Sequence, residues 1–349
     1  MSELPRFHAP DFSQMLKALN KQRTDRPVLF ELFMNDPLYA RLTGKQGPSG
    51  NAPIDRIAWM AEAFRNAGYD YVTTHASAFG FSKHAREHKR TLSLNDSESI
   101  TTWESFESFN WDDPLAYDTS HYGKLEGVLP EGMKCMVMGP GGVLENVIAL
   151  VGYDNLCYML YEDRELVSAI TDKVGSALLK YYEDIAGYDS VGFLCSNDDW
   201  GFNTQTFLST DDMREFIFPW HKKIVQLAHR HGKPVMLHSC GAFDAILGDI
   251  IDDIGFDARH SYEDKIVPVE DAYERIQKDY NGRIAVLGGM DMDFICRSEP
   301  SVVQSRAEAM LERTKDRGGY ALGTGNSVPE YIPFEGYLAM LKAAAAFGR

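Results

Sequence analysis

His238 and Cys240 are the two residues whose types and spacing point most directly to chemistry. They close an apolar run, residues 233–241, that opens with Lys233-Pro234 and ends in Gly241. In an extended strand the side chains at i and i+2 leave the same face, so imidazole and thiol converge at the strand's end. A nitrogen and a sulfur donor together suit Zn²⁺, which lowers the pKa of a bound thiol or water. Spacing alone leaves a packed histidine beside a neutral buried cysteine as the plainer alternative. A third ligand has to come from another strand end, and Glu31, His75, Cys195, Asp199 and Glu263 all qualify.

Other polar groups also stand where apolar runs stop. Asn197-Asp198-Asp199-Trp200-Gly201 offers two carboxylates, Asp198 and Asp199, as general base, metal ligand or substrate anchor. The competing role is a cap on the loop or the next helix. Gly139-Pro140-Gly141-Gly142 permits close backbone approach and offers amide donors to an anion, and a simple tight turn explains it equally well. His75, Gly141, Glu263, Asp291 and Asn326 complete the set as substrate-contact candidates, while His260 and Tyr262 end a neighbouring run. His84 and His88 lie at i, i+4 without the order of a zincin motif and read as a solvated helix face. Cys135, Cys157 and Cys296 fall in apolar stretches and are assigned to the core.

The elements that must position these groups repeat along the chain. Short apolar runs with polar or glycine-rich ends occur at 26–33, 69–77, 134–142, 190–199, 233–241, 256–264, 283–291 and 319–326. Eight such runs, mostly separated by helical patterns, imply parallel βαβ units closed into a barrel. One helix is legible in detail. Ser209-Thr210 caps it, and Met213, Phe216, Ile217, Trp220, Ile224, Leu227 and Ala228 form one apolar stripe, with a kink or break expected at Pro219. Residues 244–254 and 301–317 repeat the theme, and 334–347 closes the chain as an alanine-rich helix. The expectation is a single α/β domain over 1–349, an eight-stranded (β/α) barrel with an insertion between strands 2 and 3 at about 79–132. That insertion carries Trp103, Phe106, Phe109 and Trp111, which form either a small core of their own or a substrate wall. In this fold chemistry collects on the loops after the strands, where the polar residues above fall.

Composition narrows the function. Hydrophobic residues at 44% allow a large core, and 51 acidic against 35 basic residues, a net charge of −16, argue against a nucleic-acid surface. Five scattered cysteines read as reduced thiols. No apolar run approaches the roughly 18 residues of a membrane span, and residues 1–26 lack the apolar core of a secretory signal. A cytoplasmic protein without membrane or nucleic-acid partners is expected.

From about residue 190 onward the chain resembles the uroporphyrinogen decarboxylase superfamily. The likeness rests on Asn197-Asp198-Asp199-Trp200-Gly201, Phe207-Leu208-Ser209, Phe218-Pro219-Trp220 and His229-Arg230-His231-Gly232-Lys233. It continues in Leu237-His238-Ser239-Cys240-Gly241, Gly288-Gly289-Met290-Asp291 and Gly323-Thr324-Gly325-Asn326-Ser327-Val328-Pro329. Trp103, Phe106 and Asn110-Trp111-Asp112-Asp113-Pro114 look like the insertion of the same group. The resemblance implies a TIM barrel and either of two activities, tetrapyrrole decarboxylation or cobalamin-dependent methyl transfer. True uroporphyrinogen decarboxylases carry Arg-Gln-Ala-Gly-Arg near the N-terminus to bind substrate carboxylates; the corresponding run here is Arg26-Pro27-Val28-Leu29-Phe30-Glu31, without that motif. The methyltransferase branch holds zinc with a His-x-Cys pair and a later Cys. His238 and Cys240 match the pair, and the later position, near Gly325 or Asn326, has no cysteine.

The resemblance therefore implies a methyltransferase or demethylase that moves a methyl group between a small substrate, such as a methoxylated aromatic, and a corrinoid protein. His238 and Cys240 would hold zinc with Glu31 or Asp199, cobalamin would ride on the partner, and Asp198, Asp199 and Glu31 are the catalytic candidates. A homodimer is compatible with this picture. The alternatives are decarboxylation of a tetrapyrrole or small carboxylic acid, and a barrel that binds a ligand or partner without catalysis.

Overall fold

The structure, a computed structural model, describes residues 4–347 apart from 78–79, 82–94, 96–99 and 113–116. His84 and His88 lie outside the described residues, as do Asp113 and Pro114. Seven strands form one parallel sheet in sequential order: β1 (Tyr71–His75), β2 (Lys134–Met138), β3 (Val191–Asn197), β4 (Val235–His238), β5 (Ala258–His260), β6 (Ala285–Leu287) and β7 (Tyr320–Ala321). Each falls inside one of the apolar runs, and helices cover the outside, so the α/β barrel expected from periodicity is the fold observed.

The first run, 26–33, is where regular pairing stops. Leu29 bridges Leu322 in parallel, with Phe30 N donating to Leu322 O at 2.8 Å and Leu322 N to Val28 O at 2.8 Å. Towards β1 the ring of Tyr71 takes the place of a ladder. Its hydroxyl accepts from Glu31 N at 2.7 Å and donates to Glu31 O at 2.6 Å, and Thr73 Oγ1 donates to the same carbonyl at 3.2 Å. Side chains thus close the barrel between its first and second runs. The buried ring of Phe30 stacks on Tyr71 at a centroid distance of 5.9 Å, and Phe193 meets Tyr71 edge to face at 5.1 Å.

Around β3 and β4 the helices behave as their sequence dictates. Ser209 caps the segment after β3, accepting from Asp212 N at 3.1 Å. At Pro219 the regular helix restarts: Met213–Ile217 is a wide turn in which Phe218 N reaches back to Met213 O, and Phe218–Arg230 is regular with the proline in its first turn. A proline ring collides with the carbonyl four residues back, and widening the preceding turn relieves that collision. The helix expected over 244–254 is regular only at Asp249–Ile254, another wide turn, closed by Gly255. In the insertion, Phe106, Phe109 and Trp111 cluster at 4.6–5.4 Å between ring centroids and pack against the main core. Among the described residues this is the small core rather than a wall. Cys157, assigned to the core from its apolar neighbours, is instead exposed on the helix Tyr153–Glu162, because its face of that helix points outward.

Replacing Tyr71 with Phe strands a buried N–H and weakens the hold on a buried carbonyl. The expected loss is about 1–3 kcal/mol of stability, read as a lower urea midpoint with an unchanged circular dichroism spectrum. An unchanged midpoint would show that the seam carries no load.

Candidate active site and metal-ligand group

Register builds the site. Asn197 pairs with His238 across β3 and β4, and His238 pairs with His260 across β4 and β5. Two residues beyond the first pair stand Asp199 and Cys240, at one level of the barrel's C-terminal end. Asp199 Oδ1 accepts from Cys240 N at 2.8 Å. The donor atoms of Asp199, His238 and Cys240 all lie within 4.8 Å of one another. Of the five third-ligand candidates weighed from sequence, Asp199 is the one brought to the pair.

Burial sets the charge states. Burial and then the charge of Arg259 push the His238 imidazole down to about 4, so the ring is neutral near pH 7. Burial, followed by the nearby Asp199 charge, pushes the Cys240 thiol up to about 12. Asp199 is itself raised by burial. A neutral imidazole, a thiol held protonated and a carboxylate resisting ionisation describe three donors awaiting a positive charge. Asn326 adds a contact to this group, its Nδ2 donating to Cys240 Sγ at 3.4 Å. Where the later cysteine of the resembling branch should fall, this chain hydrogen-bonds the sulfur it already has.

The other candidates divide. Glu31 does not join the group. It is fully buried, held by Thr324 Oγ1 and by Tyr69 at 3.4 Å, and burial lifts its carboxyl to about 8. A neutral acid inside the barrel is a poor metal ligand, so its expected ligand role gives way to a structural one. Asp198 is turned away from the mouth towards the surrounding helices, with Oδ2 accepting from Leu144 N at 3.0 Å and from His221 Nε2 at 2.9 Å, and Oδ1 from Glu145 N at 2.9 Å. It caps the helix Val143–Val151, an earlier helix rather than the loop or next helix weighed for this pair of aspartates. The amides that serve this carboxylate are those of the helix's first turn, Leu144 and Glu145, just after the glycine-rich loop. A Cβ at Gly142 would lie 2.0 Å from the Asp198 side chain, which explains the glycine there. Asp291 likewise caps a helix, Met292–Arg297, and accepts from Asp264 N at 3.0 Å. Glu263 is half-buried and paired with Lys265 at 2.8 Å. His75 ends β1 beside a recess of 240 Å³ lined by Phe33, Met34, Ile57 and Met60.

His221 went unnoticed in the sequence. It is fully buried between Asp198 and Ser196 Oγ, 2.9 Å from each, and locks the Asp198 carboxylate in place. Its signal was present: it falls four residues after Ile217 and four before Val225, on the apolar face of the helix, where a polar residue needs a partner.

Comparison with known proteins places this arrangement. The model of the family described as uroporphyrinogen decarboxylase (URO-D) matches residues 133–347, more than half of the chain and all but one of the regular strands. The chain belongs to the URO-D family. A uroporphyrinogen decarboxylase of Anaeromyxobacter dehalogenans (strain 2CP-C) is 24% identical over 199 residues, 56% of this chain. The aligned part spans about half of that relative's length, 53%. A solved methyltransferase from Methanosarcina mazei superposes with a TM-score of 0.71 over 98% of this chain and 100% of its own, at 17% identity, which shows the shared URO-D barrel fold. Among the described residues no helix is long and apolar enough to cross a membrane.

The buried acid gives a test. Glu31 titrates near 8 when folded against an ordinary 4.5, so folding takes up its proton between those values. Its favourable contribution is complete below pH 4.5 and is lost as pH rises towards 8. Glu31→Gln should therefore match the wild type at pH 5 and gain on it up to pH 8, by at most about 1.4 kcal/mol per pH unit in urea unfolding. A gap that stays constant from pH 5 to 8 would contradict a neutral Glu31.

Proposed function

We propose that this protein is a methyltransferase of the URO-D family that moves a methyl group between a small substrate and a corrinoid carried by a partner protein, with zinc at Asp199, His238 and Cys240. The observation that carries this reading is the gathering of the three donors within 4.8 Å. Their chemistry fits the ion: imidazole nitrogen, thiol sulfur and carboxylate oxygen are zinc's ordinary ligands, and three from the protein leave a fourth position for substrate. The branch implied by the resemblance uses two cysteines and a histidine, so Asp199 stands in for the second thiolate.

When bound, zinc supplies a Lewis acid that stabilises negative charge on a thiolate or on a substrate heteroatom. The chain's own residues do the rest. His238 binds as a neutral ring because burial has already removed the competing proton. Cys240 gives up its proton, and the Asn326 amide donates to the resulting thiolate. Asp199 commits Oδ1 to the Cys240 amide and keeps its other oxygen for the cation. It is also the one carboxylate of the catalytic candidates left at this level, Asp198 being buried against the helices and Glu31 against Thr324 and Tyr69. The apolar recess beside His75 suits the body of a small methylated substrate such as a methoxylated aromatic, since an apolar cavity of about 150 Å³ already accepts benzene.

The decarboxylase alternative needs cations in the barrel mouth to hold substrate carboxylates. Arg259, whose charge acts on His238, is buried between the rings of Phe243 and Tyr262 at 4.2 and 4.7 Å. That favours methyl transfer.

Metal analysis of the wild type beside Cys240→Ser tests the reading. About one zinc per chain is expected in the first and none in the second. The apparent affinity should rise about tenfold per pH unit between pH 6 and 8, as Cys240 surrenders one proton and His238 none. A protein that binds no zinc and exchanges no methyl group with any corrinoid protein would overturn it.

A further inference from the structure

We propose that His260, fixed by the main-chain carbonyl of Thr324, sets the tautomer of His238, keeping its proton on Nδ1 and leaving Nε2 as an unshared lone pair for a cation. In its purpose the inference rests on the metal reading above. In its geometry it stands alone.

One chain of contacts fixes the proton positions. His260 Nε2 lies 3.0 Å from Thr324 O. A carbonyl only accepts, so Nε2 carries a proton. His260 is fully buried, and its two ring nitrogens meet a carbonyl and another imidazole rather than a carboxylate, so a doubly protonated ring there would be an uncompensated buried charge. A neutral imidazole with its proton on Nε2 has a bare Nδ1. That nitrogen sits 2.9 Å from His238 Nδ1, a distance that requires one proton between them. His238 must supply it, and its Nε2 is then unprotonated, the state a metal needs.

The fold builds this contact deliberately. Parallel pairing of His238 with His260 sets the two rings side by side, 5.0 Å apart and inclined at 31°. Gly288 makes room: a Cβ there would lie 2.2 Å from Thr324 O and 2.9 Å from His260 Cδ2. Thr324 is held in turn by its hydroxyl, which bonds Glu31 Oε1 and Asn326 O. A second arm leaves the same place, because Asn326 reaches Cys240 Sγ. Thr324 therefore orients both the histidine and the cysteine of the group, one through its carbonyl and one through its hydroxyl. His260 is a positioning residue: it acts through His238.

Long-range ¹H–¹⁵N spectra of the wild-type protein, prepared without metal, read the tautomers directly. The expected result is a proton on Nδ1 of His238 and on Nε2 of His260. A proton on Nε2 of His238 overturns the inference, whether or not zinc binds. Two variants add a second readout, zinc affinity by chelator competition. His260→Asn keeps an acceptor where Nδ1 stood and should bind within a few-fold of wild type. His260→Leu removes it and should lose about 10–100-fold. Equal affinities in the Leu variant and the wild type, or an equal loss in both variants, overturns it as well. Should the wild type bind no zinc, the functional reading fails, and the tautomer spectra still decide this one.

Discussion

A barrel that brings acids and imidazoles to its inner end must hydrogen-bond each of them, because an unpartnered buried polar group costs about as much as one-fifth of a domain's whole stability. On one side of the barrel that constraint converges on one residue. Thr324 receives His260 on its carbonyl and engages Glu31 and Asn326 with its hydroxyl. Glu31 is anchored on its far side by Tyr69, which in turn bonds the Tyr337 hydroxyl at 2.7 Å. The closing seam, the neutral acid and both orienting contacts to the metal-ligand group belong to one continuous network. Loosening any part of it reaches the group at the mouth.

A second network holds the opposite side. Asp198 ties β3 to the helix Val143–Val151 and to His221 of Phe218–Arg230, so adjacent residues, Asp198 and Asp199, serve opposite ends of the site. Strand alternation separates them: one side chain turns outward to the helices and the other inward to the mouth. The inward one is left partly free, with burial raising the free energy of its charge.

Much of this was legible in the residues themselves. The seven strands of the described residues all fall in apolar runs with polar ends, because parallel barrel strands are buried on both faces and read as short continuous hydrophobic segments. The convergence of His238 and Cys240 follows from a two-residue period. What periodicity could not supply was register. Only the pairing of Asn197 with His238 shows that Asp199, rather than Glu31 or Glu263, stands at the level of Cys240. Glu31 misled because a carboxylate at a strand's end looks available, while its burial depends on Thr324, almost three hundred residues away. Asn326 had been weighed as a substrate contact, and its role beside sulfur needed the same long-range information. The first run, too, read as an ordinary strand, since nothing local reveals that a tyrosine ring will stand in for its ladder.

The account's central claim is the identity of the three ligands, and X-ray absorption at the zinc edge of the loaded protein tests it most directly. The proposed site predicts one sulfur at about 2.3 Å from the zinc and the remaining ligands nitrogen or oxygen at about 2.0–2.2 Å. Two or more sulfurs, or none, would contradict an Asp199–His238–Cys240 site.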